Sequence, residues 1–231
     1  MRDGKTSKSR ALKVLDHACG YAEDAPIQTQ TNGSSSKAEE QPAPNSATAV
    51  CQKLVESRGL RPLFSTFAKT KKHDPEQTEH ILGIFASLLR SLPGDSDPRF
   101  RLLAKFLEKE YEKIAKLVTL RREYVGRVAA FDAKLKDRKR GLSREEQDEL
   151  EMENIPTRLS EGLYCLERID AVLAWLVAED DSAKSAIIKA LAERDESLAD
   201  VKKTLQAQLE GGLEAATAER EMLETLTGFL D

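Results

Sequence analysis

Apolar residues recur along this chain at intervals of three and four positions, which is the spacing of one face of a helix. The pattern predicts a first helix over 7–18 and resumes near Thr48, in segments separated by Pro, Gly and Asp residues. Alternating runs of Val, Ile, Thr and aromatic residues, which indicate half-buried strands, are missing from the sequence. The sequence therefore predicts an all-α fold. Periodicity alone fits both an array of helix-pair repeats and a plain helical bundle.

Particular residues mark where several of these helices begin. Asp74 can cap a helix through its side chain, and Pro75 suits the first helical position. Ser143 and Glu146 have the spacing of a capping box ahead of a short acidic helix. Pro156 is expected to open the next helix, which continues to residue 178. Three weaker helices are predicted over 182–193, 196–210 and 213–230.

The predicted core consists of the apolar faces of the longer helices. The helix that begins at Asp97 and the long helix over 110–140 are expected to bury Phe100, Leu102, Leu103, Phe106, Leu107, Tyr111, Ile114, Leu117, Val118, Leu120, Tyr124, Val125, Val128, Phe131 and Leu135. Trp175 lies in another apolar stripe, so we expect it in the core and not at a partner interface.

Residues 20–48 have a different composition from the rest of the chain. They are dominated by Ser, Thr, Gln, Pro and Gly, and their stretch TQTNGSSSKAEEQPAPNSAT holds no large apolar residue. Such a segment cannot bury enough apolar surface to offset the loss of chain entropy on folding. We therefore predict a disordered polar linker between a first helix and the helices that follow.

Charge and cysteine content narrow the class of protein. The chain has 36 Lys and Arg residues against 40 Asp and Glu residues, a formal net charge of −4, which argues against a protein that coats nucleic acid through bulk positive charge. No apolar run approaches the roughly 20 residues of a membrane-spanning helix. Cys19, Cys51 and Cys165 are odd in number and far apart, so we interpret them as free thiols in a reducing compartment.

The sequence shows no pattern of catalytic or metal-binding residues. A phosphate-binding glycine loop, a nucleophile elbow and an H-E-x-x-H motif are all missing. His73 and His80 are seven positions apart but have no third ligand at a suitable spacing, so we expect two solvated surface histidines. We predict a protein that is not an enzyme, with no catalytic residue, no cofactor and no metal.

Two charged runs are candidate binding features. The first is a basic run over 134–144, which indicates a nuclear-import signal or a patch that contacts phosphate groups. The simpler interpretation is a solvated helix C-terminus, where Lys and Arg complement the helix dipole. The second is an acidic run over 145–153, which could meet a basic peptide and is more often a solvated helix face. The possible basic patch consists of Lys134, Lys136, Arg138, Lys139, Arg140 and Arg144.

Five blocks of sequence, in the same order, resemble the C-terminal part of the beta-catenin-like protein 1 family. They extend over 7–18, 59–69, 79–92, 101–126 and 159–179, and read SKSRALKVLDHA, GLRPLFSTFAK, EHILGIFASLLRSL, RLLAKFLEKEYEKIAKLVTLRREYVG and LSEGLYCLERIDAVLAWLVAE. No single block is diagnostic of a chemistry, and the collinear order makes the resemblance specific.

The resemblance implies an armadillo-repeat solenoid in the nucleus. Its members associate with the spliceosome through the nineteen complex, and they bind splicing-factor proteins through basic, nuclear-localisation-type segments. Self-association is also ascribed to the family, so the resemblance allows a homodimer. It implies neither sequence-specific binding of nucleic acid nor binding to membranes. The function implied is a non-catalytic scaffold of pre-mRNA splicing. The alternative is a general binder of basic nuclear-localisation-type peptides that acts in import or chaperoning.

The resemblance also suggests how the chain is organised. We predict a remnant of an armadillo repeat over 1–19, the disordered linker over 20–48, an armadillo-like helical domain over 49–210 and a C-terminal helix over 211–231. Since family members have further repeats ahead of the first block, we expect an exposed apolar edge on the first helix at Ala11, Leu12, Val14 and Leu15.

Overall fold

The computed structural model describes residues 3–20, 46–70, 74–211 and 217–231. Within these ranges the regular structure consists of α-helices and one π-helical turn, without a strand, so the predicted all-α fold is confirmed. None of the described helices combines the length and apolar character needed to cross a bilayer. The helices are α1 Asp3–Gly20, α2 Ser46–Glu56, α3 Leu60–Lys69, α4 Pro75–Ser91, α5 Asp97–Arg138, α6 Arg144–Arg158, α7 Tyr164–Glu179, α8 Asp181–Ala192, α9 Leu198–Glu210 and α10 Thr217–Gly228.

The chain forms two compact units, Met1–Leu102 and Leu103–Asp231, and the division falls within α5. The backbone of α5 leaves the helical conformation at Glu108, and the next three residues have positive φ. The predicted start of the long helix at residue 110 lies in this break. Most of the predicted linker lies outside the described residues. The predicted division into four segments stays a prediction.

The first unit is built around α4, which contacts α1, α2 and α3. Asp74 caps α4 as predicted, since its side chain accepts a hydrogen bond from the backbone N–H of Gln77 at 3.4 Å. The ring of Phe85 packs against those of Phe64 and Phe67, with centroids 4.7 and 5.2 Å away. Aromatic pairs at these separations add to the stability gained by burial.

The helix α1 lies very close to α4 at Gly83. A Cβ atom at this position would overlap the carboxylate of Asp16, so glycine lets α1 lie this close to α4 without moving that side chain. Beside this contact, Nδ1–H of His80 donates a hydrogen bond of 2.9 Å to Oδ2 of Asp16. His80 is only 8% exposed, so the prediction of a solvated surface histidine is wrong for this residue. His73 lies outside the described residues.

The expected apolar edge of α1 is only partly present. Val14 and Ala11 are exposed, whereas Leu12 is buried and Leu15 is half-buried. Because α1 packs on both α4 and α2, the side of the helix that carries Leu12 is covered within the first unit. The expectation that Leu12 belongs to an exposed edge is therefore wrong.

Two residues predicted in the core of α5 are exposed. Phe100 is 58% exposed, because the preceding residue Arg99 takes the inward position and donates to the carbonyl oxygens of Leu88 and Leu89 at the end of α4. A positive guanidinium at this place complements the negative C-terminal end of the helix. Val125 is also exposed, because its neighbour Tyr124 occupies the buried face of α5.

The second unit has α7 at its centre, in contact with α8, α9 and α10. The two capping boxes, at Ser143 and Ser197, begin α6 and α9. The three weaker helices exist as α8, α9 and α10, close to their predicted bounds. Trp175 on α7 is half-buried, so it is less enclosed than the apolar stripe suggested.

The predicted helix start at Pro156 is wrong, since α6 continues through this residue. Proline leaves the carbonyl four positions earlier without its helical partner. That residue, Met152, is 71% exposed, so the interruption lies in a helix at the surface of the unit. The change of helix comes instead at the π-helical turn Leu159–Leu163, where Gly162 has φ of 134°. A Cβ atom at Gly162 would lie 2.8 Å from Cδ1 of Tyr124, which explains why glycine is needed there.

Candidate protein-binding surface

The basic run and the acidic run lie on the two arms of one helical hairpin, formed by the end of α5 and by α6. The chain reverses between Arg138 and Arg144, and Gly141 supports the turn with φ of 84°. Ser143 then caps α6 reciprocally: its hydroxyl oxygen accepts a hydrogen bond from the backbone N–H of Glu146 at 3.4 Å, and its own backbone N–H donates to Oε2 of Glu146 at 2.8 Å. The predicted capping box is therefore confirmed.

Polar side chains hold the two arms together. Near the turn Lys139 pairs with Glu151, and in the middle Nη1 of Arg138 donates to Oδ1 of Asn154 at 3.3 Å. At the far end Arg158 donates two hydrogen bonds to the carboxylate of Asp132, of 2.7 and 2.8 Å. These contacts follow one another in antiparallel order along the hairpin. Because these contacts are made by the ends of long side chains, α6 is attached to α5 but is not buried against it.

The helix α6 contributes no buried residue to the second unit, although all of its fifteen residues are described. Met152 is 71% exposed and Ile155 is 46% exposed. Three positions apart on a helix, these two side chains are neighbours on the same face. Six acidic and two basic residues give α6 a formal net charge of −4. The outer surface of α6 thus combines an apolar pair with a strong negative charge, and we call it the α6 face.

The local pKa shifts agree with this arrangement of charges. Hydrogen bonds from the backbone and the hydroxyl of Ser143 lower the pKa of Glu146. The hydrogen bonds to Asp132 raise the pKa of Arg158, against the effect of partial burial. Both groups therefore keep their charge at neutral pH, Glu146 as a carboxylate and Arg158 as a guanidinium.

The six residues of the possible basic patch do not form one uniform surface. Lys139 is half-buried and paired with Glu151, and Arg140 is 3.2 Å from Oδ1 of Asp137. Lys134, Lys136 and Arg144 are exposed and make no ion pair with the described residues. Their role in nuclear import or phosphate contact stays a prediction. The same holds for Arg138, whose guanidinium donates a hydrogen bond to Asn154.

Sequence reasoning treated the basic and the acidic runs separately and missed the surface that they form together. The sequence does contain one indication of the hairpin. The end of α5, Gly141 and the capping box at Ser143 follow one another within about ten residues, as in an antiparallel helix pair. The exposure of Met152 and Ile155 had no signal, since an apolar pair in a helix normally predicts burial.

Titratable residues with strongly shifted pKa values lie on α7. Burial raises the pKa of Asp170 to about 6, although Nε of Arg121 donates to its Oδ1 at 2.7 Å. Burial also raises the pKa of Glu167 to about 7. Such shifts often mark catalytic sites, but buried ion pairs cause them too. Here Arg121 also approaches Glu196, at 3.5 Å, so Asp170 belongs to an ion-pair cluster that joins α5, α7 and the segment before α9.

Metal binding finds no geometric support in the described part of the chain, where no three His, Cys, Asp or Glu side chains are grouped so as to hold an ion. All three cysteines are free thiols, as predicted, and the structure buries each of them. Catalytic, cofactor and metal sites therefore remain unassigned.

Comparison with known proteins identifies relatives of this chain. It is 33% identical over 184 residues to beta-catenin-like protein 1 of Rattus norvegicus, an alignment that covers 75% of this chain and 28% of the relative. The Homo sapiens protein gives the same values. The beta-catenin-like protein 1 homolog of Schizosaccharomyces pombe is 30% identical over 178 residues, covering 77% of this chain and 30% of the relative. The chain thus spans less than a third of the length of these relatives.

A family-level comparison covers more of the chain than these pairwise alignments. Residues 1–206 match the model of a family described as catenin-beta-like, Arm-motif containing and nuclear. This description fits a helical-repeat fold and agrees with the helices seen here. The chain therefore belongs to the catenin-beta-like, Arm-motif containing nuclear family.

Proposed function

We propose that this chain is a non-catalytic, protein-binding scaffold of the pre-mRNA splicing machinery, associated with the nineteen complex in the nucleus. Membership of a nuclear Arm-motif family supports the location and the class of protein. The observation that carries the proposal is the α6 face, a negatively charged helix surface with two exposed apolar side chains that no described element of its unit covers. A surface of this kind serves binding and contributes little to the core.

The chemistry of the α6 face selects a partner with a Lys- and Arg-rich segment that also carries an apolar side chain. Charge complementarity speeds the encounter and selects among partners, and its range is about 8 Å at physiological salt. Apolar contact with Met152 and Ile155 would then fix the position of the bound segment. Basic, nuclear-localisation-type segments would supply the Lys and Arg residues that such a partner requires. The same negative charge disfavours direct contact with nucleic acid.

A peptide-binding experiment tests the role of the α6 face. Isothermal titration calorimetry would compare the full chain, the double variant Met152→Ser with Ile155→Ser, and the single variant Ile188→Ser, using a Lys- and Arg-rich nuclear-localisation-type peptide. Ile188 is a matched control, because it is 45% exposed on α8 and lies outside the α6 face. We expect the double variant to bind at least tenfold more weakly and the control to bind normally.

Salt dependence separates the electrostatic contribution from the apolar one. Replacement of Glu145, Asp148 and Glu149 by their amides should weaken binding and flatten its dependence on salt concentration. Equal affinity of the unaltered chain and both sets of α6 variants would contradict the proposal.

A retrieval experiment from nuclear extract distinguishes splicing from the alternative function. The tagged chain and the Met152→Ser/Ile155→Ser variant would be used as baits, followed by mass spectrometry of the retained proteins. Splicing factors retained by the chain and lost by the variant would support the scaffold. Import receptors or diverse basic cargo without splicing factors would instead favour a general binder of basic peptides.

A further inference from the structure

Two cysteines that are distant in sequence meet inside the first unit. Cys19 lies in the last turn of α1 and Cys51 in the middle of α2, and both side chains are fully buried where these helices pack together. Each thiol shifts the pKa of the other, so the two side chains lie side by side. The Sγ atom of Cys51 also contacts the carbonyl oxygen of Ser87 on α4, at 3.9 Å. The third cysteine, Cys165, is on α7 in the second unit.

We propose that Cys19 and Cys51 form a reversible disulfide bond that fastens α1 to α2. Two thiols buried side by side where α1 packs on α2 need only a small movement to reach the S–S bond length of about 2.0 Å. The two residues lie on separate helices of one packed unit, so the bond joins elements that already touch. This inference concerns the first unit and does not depend on the function proposed for the α6 face.

The oxidant that the reaction requires is a low-molecular-weight disulfide, for which oxidised glutathione is the natural representative. The thiolate of one cysteine attacks a sulfur of glutathione disulfide, the S–S bond of glutathione breaks, and one glutathione thiolate leaves. The second cysteine loses its proton and attacks the protein-side sulfur of the mixed disulfide, which expels the second glutathione. In total two protein thiols are oxidised and one glutathione disulfide is reduced to two glutathione molecules.

The surroundings of the two thiols favour Cys51 as the first nucleophile. The hydrogen bond from Cys19 lowers the pKa of Cys51, with further contributions from Ser91 and Arg90 and against the effect of burial. The same hydrogen bond and burial raise the pKa of Cys19. Cys19 therefore keeps its proton until the mixed disulfide on Cys51 offers it a target.

Access to the buried pair is controlled by α1. Since neither thiol is exposed, an oxidant reaches them when α1 separates locally from α4 and α2. The contacts that resist this opening are the packing of Leu12, the hydrogen bond between Asp16 and His80, and the close approach at Gly83. Local openings of this kind require less free energy than global unfolding. Oxidation should accordingly be slow, and the disulfide should then prevent α1 from separating again.

Equilibration of the full chain in glutathione buffers of increasing oxidised-to-reduced ratio tests the proposal. Free thiols would be alkylated at each ratio and counted by intact mass, and disulfide-linked peptides would be mapped after proteolysis. We expect three alkylated thiols under reducing conditions and one under oxidising conditions, with the linked peptides containing Cys19 and Cys51. The melting temperature of the first unit should rise by on the order of 10 °C, because the bond closes a loop of more than thirty residues.

Single substitutions provide the matched controls. The Cys165→Ser variant should still lose two thiols on oxidation, whereas Cys51→Ser should lose none to an internal bond. Three alkylated thiols at every ratio, a stable glutathione adduct without an internal bond, or a disulfide that involves Cys165 would each overturn the inference. The peptide map of the unaltered chain decides the question even if Cys51→Ser does not fold.

Discussion

The helices α4 and α6 have similar lengths, 17 and 15 residues, and opposite roles. Ten residues of α4 are buried, and its apolar side chains cover most of its circumference. In α6, which is described throughout, no residue is buried, and ion pairs attach the helix to its neighbour. The comparison shows that helix formation alone does not make a helix part of the core. A capping box and favourable residues form α6, whereas α4 exists because it is packed on several sides.

The largest expected difference between the two helices comes from removing an apolar side chain from each. Phe85→Ala in α4 should lower the free energy of unfolding by about 3–5 kcal/mol, because it leaves a cavity beside Phe64 and Phe67. Met152→Ala in α6 should change it by less than about 0.5 kcal/mol. Urea unfolding followed by circular dichroism would measure both. Similar losses for the two variants would show that α6 belongs to the core after all.

A smaller effect should follow from adding one methyl group where α4 meets α1. Gly83→Ala should cost about 1–3 kcal/mol, since the new Cβ atom would overlap the carboxylate of Asp16. Hydrogen exchange of the backbone amides of α1 should increase, because this helix is displaced first.

Gly126→Ala is the matched control for that substitution. Gly126 lies within α5, and no heavy atom outside its own helix backbone lies within 4 Å of the added Cβ position. This control should be neutral or slightly stabilising, because alanine favours the helix. Unchanged exchange of α1 in Gly83→Ala would refute the close contact.

The third prediction concerns Glu167 on α7, the helix that follows α6, where burial raises the pKa of two acidic side chains. Burial raises the pKa of Glu167 to about 7 in the folded chain, against the ordinary value of 4.5. The folded chain therefore holds this proton more tightly than the unfolded chain, and the group reduces stability progressively as pH rises from about 4.5 to 7. Glu167→Gln removes this effect.

Comparison of unfolding at two pH values isolates that contribution. The free energy of unfolding of Glu167→Gln, relative to that of the unaltered chain, should increase by on the order of 1–2 kcal/mol between pH 5 and pH 8. Urea unfolding of both chains at each pH would measure the difference. A difference that does not vary with pH would mean that Glu167 is ionised normally in the folded chain.

The smallest expected effect comes from the ion pair at the base of the hairpin. Asp132→Asn should lower the free energy of unfolding by about 0.5–1 kcal/mol, because Asp132 and Arg158 are each 40% exposed and water screens their attraction. Limited proteolysis of α6 should become faster as the helix separates from α5. Arg140→Gln, near the turn, alters a more exposed ion pair and should have no measurable effect on stability. A loss above about 2 kcal/mol for Asp132→Asn would show that the hairpin is more enclosed than the structure indicates.

Local rules predicted much of the fold correctly. The caps at Asp74 and Ser143 depend on neighbouring residues only, so the sequence contains all the information that is needed to find them. The apolar run of α4 predicted its burial for the same reason. Such rules cannot tell which side of a helix a neighbour covers, and this explains the errors at Phe100 and Leu12. At Phe100 the deciding contact is the guanidinium of Arg99 with the end of another helix.

The candidate sites were predicted less well, because they depend on pairs of residues that are far apart in sequence. The residues around His80 in the sequence do not indicate its hydrogen bond with Asp16, which is 64 positions away. Cys19 and Cys51 likewise meet only because α1 and α2 pack together. The predicted helix start at Pro156 is wrong because proline suits the first turn of a helix but also occurs inside an exposed helix such as α6, at the cost of one helical hydrogen bond. The charges of the α6 face were visible in sequence, but their place on a hairpin was not recognised.

The position of Trp175 gives the chain a natural optical probe of one unit alone. It is the single tryptophan of the sequence and lies on α7, in the second unit. Emission excited at wavelengths that tyrosine does not absorb therefore reports on the second unit, while circular dichroism follows the helices of both. If the two units unfold at different temperatures, the dichroism signal will show two steps and the tryptophan emission one. The unit that contains α4 can then be followed by subtraction, without introducing any label.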